Sequence, residues 1–201
     1  MKQAKSILYI FSFSVASLFF GIVFAYIIGG TLPERSSLGQ SKSFDANQDL
    51  IWATILDIES YPLWKPGLKT VEMLGTNEKG YTKWREFYSL GKTITYEITD
   101  YIPKSLIQIQ ITDAKRASKG VWIYKLSNYQ ERGILQIKRF AIVKNNIERF
   151  NRRWIDTKYN EVDYTLMSLN VYLNQLLEDQ EEIRDLIIPE VENNESPPLN
   201  T

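Results

Sequence analysis

The chain opens with a long apolar run. From Ile7 to Ile28 it reads ILYIFSFSVASLFFGIVFAYII, and no charged residue stands between Lys5 and Glu34. As a helix rising about 1.5 Å per residue the run reaches ~33 Å, enough for a hydrocarbon core of about 30 Å. A cleavable signal sequence has an apolar core of about 7–15 residues, and Ile28-Gly29-Gly30-Thr31 makes only a weak cleavage site. The pattern therefore predicts a flank at residues 1–6 and a retained transmembrane helix at residues 7–28. Lys2 and Lys5 lie closer to the span than Arg35 and Lys42 do. That bias favours a single-pass anchor with a cytoplasmic N-terminus and an extracytoplasmic domain, periplasmic if the source is bacterial.

Residues 29–40, GGTLPERSSLGQ, have the Gly, Ser and Pro content of a stalk. At the other end residues 181–201 read as an acidic, Pro- and Asn-rich disordered tail, because they show no apolar period. Residues 41–180 between them suit one domain. Asp45 followed by Gln48 resembles a helix start, and Ile51, Trp52, Ile55 and Leu56 then share one helical face, opposite Asn47, Asp49 and Thr54. Ser60-Tyr61-Pro62 and Lys65-Pro66-Gly67 break that helix.

Beyond Leu68 the period changes to two. Turn sequences delimit strands near 68–75, 80–90, 92–102, 105–113, 119–128 and 133–144, with a short strand at 41–44 before the helix. Ile94, Tyr96 and Ile98 share a parity, as do Ile107, Ile109 and Ile111, then Trp122, Tyr124 and Leu126, then Leu135, Ile137 and Ala141. Thr93, Thr95, Glu97 and Thr99 fall on the other face, so the sheet has one apolar side. A final helix carries Tyr159, Val162, Leu166, Leu169, Leu173 and Leu176 at steps of three and four. That stripe is shorter than the three to four heptads of a persuasive coiled coil, so it predicts a helix lying on the sheet, with a dimerising coil as the alternative.

Composition narrows the chemistry. The 201 residues include no His and no Cys, and 24 Lys plus Arg balance 24 Asp plus Glu. Disulfides, thiolate catalysis and zinc or haem sites built on Cys or His are excluded. Neutral net charge argues against nucleic acid as a partner. No metal site, cofactor or catalytic constellation is expected, and any acid–base chemistry would fall to Asp, Glu, Tyr or Lys.

The element order resembles the START/SRPBCC superfamily, the birch-allergen-like or polyketide-cyclase-like helix-grip fold. The residues that carry the likeness are Leu50-Ile51-Trp52 leading to Asp57, Tyr61-Pro62, Trp64, Pro66-Gly67 and the run Gly120-x-Trp122-x-Tyr124-x-Leu126. The family's common Gly-Thr pair opening the last strand is Gly133-Ile134 here. The resemblance implies an α+β domain in which a curved antiparallel sheet of about seven strands wraps a long C-terminal helix. It also implies a cavity between them that in many members holds a lipid, sterol, isoprenoid or aromatic polyketide.

On that reading the inward aromatics Trp84, Tyr88, Tyr96, Trp122 and Tyr124 and the one inward cation, Arg139, are the candidate ligand-binding residues. Core packing is the alternative for the aromatics. Arg139 and Glu86 could orient a polar head group or pair across the cavity; alternatively a bulge or strand end returns Arg139 to water and Glu86 is solvated. Asp100 and Asp113 also face inward, but at strand ends, which are usually wet. Arg149, Arg152 and Arg153, with Phe150 and Trp154 between them, form a basic aromatic cluster that could touch anionic lipid, close the cavity mouth or remain solvated. The function expected is a membrane-anchored binding or transport module for a hydrophobic small molecule. The alternatives are a cyclase- or hydrolase-like enzyme and an envelope interaction domain with a filled interior.

Overall fold

The structure, a computed structural model, describes residues 2–113, 118–130, 132–154 and 161–187. The period-two runs become strands β1 (Arg35–Ser43), β2 (Leu68–Thr76), β3 (Thr82–Tyr88), β4 (Thr93–Ile102), β5 (Leu106–Ile111), β6 (Ser118–Tyr129) and β7 (Arg132–Val143). They pair antiparallel in one sheet of order β1-β7-β6-β5-β4-β3-β2. Helices α2 (Gln48–Leu56) and α3 (Tyr61–Trp64) carry the chain from β1 at one edge to β2 at the other. Helix α4 (Asn146–Trp154) follows β7, and α5 (Glu161–Ile187) closes the described chain.

One face of the sheet is apolar, as the alternation requires. Leu135 and Ile137 of β7 are completely buried, and so are Val162, Leu169 and Leu173 of α5. Leu166 is buried and Leu176 half-buried, so the stripe is covered by the chain's own sheet without a second copy. Tyr159 lies outside the described residues. Each buried Leu or Ile contributes about 1.5–3 kcal/mol relative to exposure.

Helix α2 starts two residues later than its sequence signature indicates. Asn47 is the cap, its Oδ1 accepting the Leu50 amide at 2.9 Å, while Asp45 instead pairs with Arg132 at 3.1 Å. Thr54, expected on the polar face, is buried because its hydroxyl donates to the Leu50 carbonyl at 2.8 Å. In both cases a short polar side chain finds a backbone partner, and for Thr54 that bond satisfies the hydroxyl out of contact with water.

The expected stalk at residues 29–40 is not a stalk. Helix α1 (Lys2–Thr31) runs to Thr31, and Arg35–Gln40 form most of β1, paired with Ile142–Ile137 of β7. Ser and Gly have weak strand propensity, so this edge strand shows little pattern of its own. The β7 ladder and the half-buried Leu38 hold it. Within α1, Tyr9–Thr31 is a 23-residue apolar stretch, largely exposed and long enough to cross a membrane. At the far end α5 continues past residue 180, and the tail expected at residues 181–201 lies outside the described residues from 188 on.

Gly133 fixes α2 against the sheet. Its amide donates to the Ala46 carbonyl at 3.0 Å, its carbonyl accepts the Phe44 amide at 2.9 Å, and a Cβ there would overlap the Ile51 side chain. Gly133→Ala is therefore expected to lose about 1–3 kcal/mol by overpacking. Urea unfolding of the full chain in detergent would measure it, and an unchanged midpoint would show that α2 can simply move away.

Candidate functional site

Glu86 stands at the centre of the site. On β3 it shares the inward face with Trp84 and Tyr88, and it is completely buried. A carboxylate in such a place must be supplied with donors. Lys65 Nζ donates to Oε1 at 2.6 Å, Trp84 Nε1 donates to Oε1 at 3.0 Å, and the Tyr88 hydroxyl donates to Oε2. Lys65 comes from the loop after α3, where Pro66 and the positive φ of Gly67 (72°) turn the chain into β2. Its ammonium lies 4.0 Å from the Tyr61 ring centre and 5.6 Å from that of Tyr96, so aromatic faces supply much of its remaining environment.

A second ion pair lies across the sheet. Arg139 of β7 meets Glu161, the first residue of α5, at 3.0 Å, and its guanidinium lies 5.4 Å from the Trp122 ring centre. Glu86 and Arg139 thus each have another partner and do not pair with one another. Glu86 is not solvated and Arg139 is only slightly so, the side chain being 12% exposed.

Between the two pairs lies a cavity of about 70 Å³, lined on the sheet by Trp84, Tyr88, Tyr96, Ile109, Trp122 and Tyr124 and closed by Lys65, Pro66, Glu161 and Thr165. Trp84 stacks on Tyr96 with centroids 5.6 Å apart, and Trp122 on Tyr124 at 6.3 Å, both tilted by 21°. Ile109 of β5 lies between these two aromatic ledges. The volume is well below the roughly 300–1,000 Å³ of ordinary ligand pockets, so these aromatics fill most of the interior. A larger depression of about 520 Å³ beside residues 76–79 is open to water and lined by Thr, Asn, Glu and Lys, which offers nothing to an apolar molecule.

Five of the six candidates from the sequence, Trp84, Tyr88, Tyr96, Trp122 and Tyr124, are brought together on this cavity, and Arg139 stands behind it through Glu161. Lys65, Glu161 and Thr165 were not singled out by the sequence. Lys65 sits in a turn motif whose Pro and Gly explain themselves, and helix-start acids such as Glu161 are commonplace. Glu86 lies between Trp84 and Tyr88 in the sequence, which left a solvated carboxylate open as an alternative. Of the wet-end acids, Asp100 is exposed and Asp113 half-buried.

Burial pushes the hydroxyl pKa of Tyr61, Tyr88, Tyr96 and Tyr124 upward, and the Glu86 carboxylate adds to the effect in all four. A group whose folded pKa exceeds its unfolded value stabilises the fold fully below the unfolded pKa and loses that contribution as pH rises above it. For tyrosine that point is about pH 10. The contribution of these tyrosines to stability should be constant below it and fall above, with the four ionising only on unfolding. Tyrosinate absorbance followed alongside circular dichroism would check this, and early ionisation of all 12 Tyr in a folded chain would contradict it.

Removing Lys65 leaves a buried carboxylate without its cation, a change that costs about 3–5 kcal/mol. Lys65→Met is expected to show this loss in urea unfolding, and Lys65→Met with Glu86→Gln should recover much of it, since a neutral amide still accepts from Trp84. Equal stabilities for the two variants would mean that the pair contributes nothing.

A curved sheet gripping one helix over an aromatic cavity defines a START/SRPBCC-like helix-grip domain. The chain belongs to the polyketide cyclase/dehydrase and lipid transport family, whose model matches residues 36–161. Similar solved structures include the Zhui aromatase/cyclase from Streptomyces sp. R1128, 14% identical with a TM-score of 0.59, covering 71% of this chain and 96% of that one. A START superfamily protein from Mycobacterium smegmatis is 16% identical with a TM-score of 0.53, covering 70% and 98%. Norcoclaurine synthase from Thalictrum flavum is 11% identical with a TM-score of 0.55, covering 71% and 96%. At these identities the likeness is one of fold. No curated protein sequence matches the chain.

Proposed function

We propose that this protein is a membrane-tethered binding domain for a hydrophobic small molecule that carries a polar group, held between the sheet and α5. The observation that carries the reading is Glu86, a completely buried carboxylate with Lys65 and Tyr88 on it, at the wall of an aromatic cavity. Buried ion pairs are seldom worth their desolvation for stability alone, so their presence beside a cavity points to a ligand's polar end. The two stacked ledges offer flat faces to a ring or isoprenoid chain, and Trp122 contributes an Nε1–H with no partner among the described residues. At about 70 Å³ the cavity admits such a molecule only if α5 or the aromatics shift. Helix α1 is the proposed anchor, with its N-terminus cytoplasmic and the domain on the other side.

A second reading, acid–base catalysis of the cyclase kind, is favoured by one observation, the hydroxyls of Tyr88 and Tyr96 lined up on Glu86. Proton transfer along such a line needs no His. Both readings meet in one experiment. The full chain is purified in detergent after exposure to membranes of its source, extracted with organic solvent and examined by mass spectrometry. A stoichiometric apolar molecule, lost in a folded Tyr124→Trp variant, is the expected result; a related substrate and product pair would favour catalysis. A repeatedly empty extract would favour an interior that serves packing only.

A further inference from the structure

A buried N–H needs an acceptor, and Arg149 of α4 shows how fully this domain can supply one. Its buried guanidinium donates from Nε to the Gly29 carbonyl at 2.8 Å, from Nη1 to the Val143 carbonyl at 3.3 Å and from Nη2 to Asn146 Oδ1 at 2.6 Å, and it pairs with Glu34 at 3.3 Å. Arg152 pairs with Glu148 at 2.7 Å, and none of Arg149, Arg152 and Arg153 lines the cavity. The basic cluster of α4 therefore serves the fold.

Against that standard three buried side-chain nitrogens stand out among the described residues as lacking an acceptor, Trp64 Nε1, Trp122 Nε1 and Arg139 Nε. Two of them share one corner. Trp122 and Arg139 are ladder partners on β6 and β7, and the guanidinium lies 5.4 Å from the Trp122 ring centre. Trp122 lines the cavity and is only 5% exposed, so its N–H is out of reach of bulk water. Lys65, which also lines the cavity, likewise brings only donors.

The acceptors nearby are engaged. Glu86 holds Lys65, Trp84 and Tyr88, the Thr165 hydroxyl donates to the Glu161 carbonyl at 2.7 Å, and Glu161 holds Arg139 and is 44% exposed to water. An oxygen that already holds one bond tolerates a vacant lone pair, whereas a buried N–H with no partner is destabilising. Charge is balanced as well, since each cation of the site stands on its own carboxylate. An anionic head group would have to displace Glu86 or Glu161, and a cationic one would find no carboxylate without its cation. The corner at Trp122 is thus matched by a neutral acceptor.

We infer that the polar end of the ligand is a neutral carbonyl oxygen that accepts from Trp122 Nε1, beside the positive field of Arg139. This rests on the binding role proposed for the cavity and narrows it to apolar molecules of the ketone or ester kind, against fatty acids, phosphorylated lipids and amines. An alcohol fits less well, because its own proton then needs an acceptor.

The test uses probes of one shape that differ only at that end: acetylnaphthalene, ethylnaphthalene, naphthylethanol and naphthoate. Binding to the full chain in detergent is measured against protein-free micelles. Acetylnaphthalene is expected to bind about tenfold tighter than ethylnaphthalene or naphthoate, with naphthylethanol between, and its advantage over ethylnaphthalene should disappear in Trp122→Phe. A second measurement needs no variant: the infrared stretch of the isotope-labelled carbonyl of bound acetylnaphthalene should lie below its position in hexane, as for a hydrogen-bonded ketone. Ethylnaphthalene binding as tightly as acetylnaphthalene, the outcome if a water molecule already serves Trp122, would overturn the inference and leave the apolar-cavity reading standing. So would tightest binding of naphthoate, or a bound carbonyl that stretches as it does in hexane. No saturable binding of any probe would overturn both.

Discussion

A seven-stranded sheet with one apolar face has to be covered, and here a single helix does it. Leu169 and Leu173 of α5 and Leu135 and Ile137 of β7 are completely buried in one core cluster, and the rest of the domain is arranged around that core. A cylinder laid on a concave sheet leaves a wedge of space that aliphatic residues do not fill. Trp84, Tyr96, Trp122 and Tyr124 project into the wedge, and the remaining space is the cavity. The site is thus what is left over from packing, and its chemistry comes from the few polar groups that the packing cannot avoid.

Those polar groups are distributed asymmetrically. On the β3 side the carboxylate of Glu86 is enclosed by an ammonium, an indole and a phenol. On the β7 side Arg139 faces Glu161, which is 44% exposed. The first pair is held by a proline-glycine turn and by the rings of Tyr61, Trp84, Tyr88 and Tyr96. The second includes the opening residue of α5 and is the side at which a small movement of that helix would widen the space. A rigid polar floor under a helix that can shift is an arrangement suited to recognising one end of a molecule whose remainder is apolar.

Alternation and helical spacing were sufficient for the strands from Leu68 onward and for the stripe on α5, because in both cases one face is buried and the other wet. They were insufficient for β1, where Arg35-Ser36-Ser37-Leu38-Gly39-Gln40 has a single apolar residue and takes its conformation from β7. For the site, parity assembled the five aromatics but left open whether Glu86, between Trp84 and Tyr88, faces the cavity or water. Nothing local to Lys65 could announce its role, since its partner is 21 residues away and meets it only after α3 has turned the chain. Likewise Arg139 was legible as an inward charge, but its ion pair depends on where α5 begins.

The join between α1 and β1 is only three residues long, Leu32–Glu34, and even fully stretched such a segment covers about 10 Å. A domain held this way has almost no searching radius. With α1 in a bilayer, it could not lean out to collect cargo from a distant donor, as a module on a flexible tether does. Encounters would be decided by lateral diffusion in two dimensions, and only donors or acceptors presenting their own openings at the same height would be able to exchange with it.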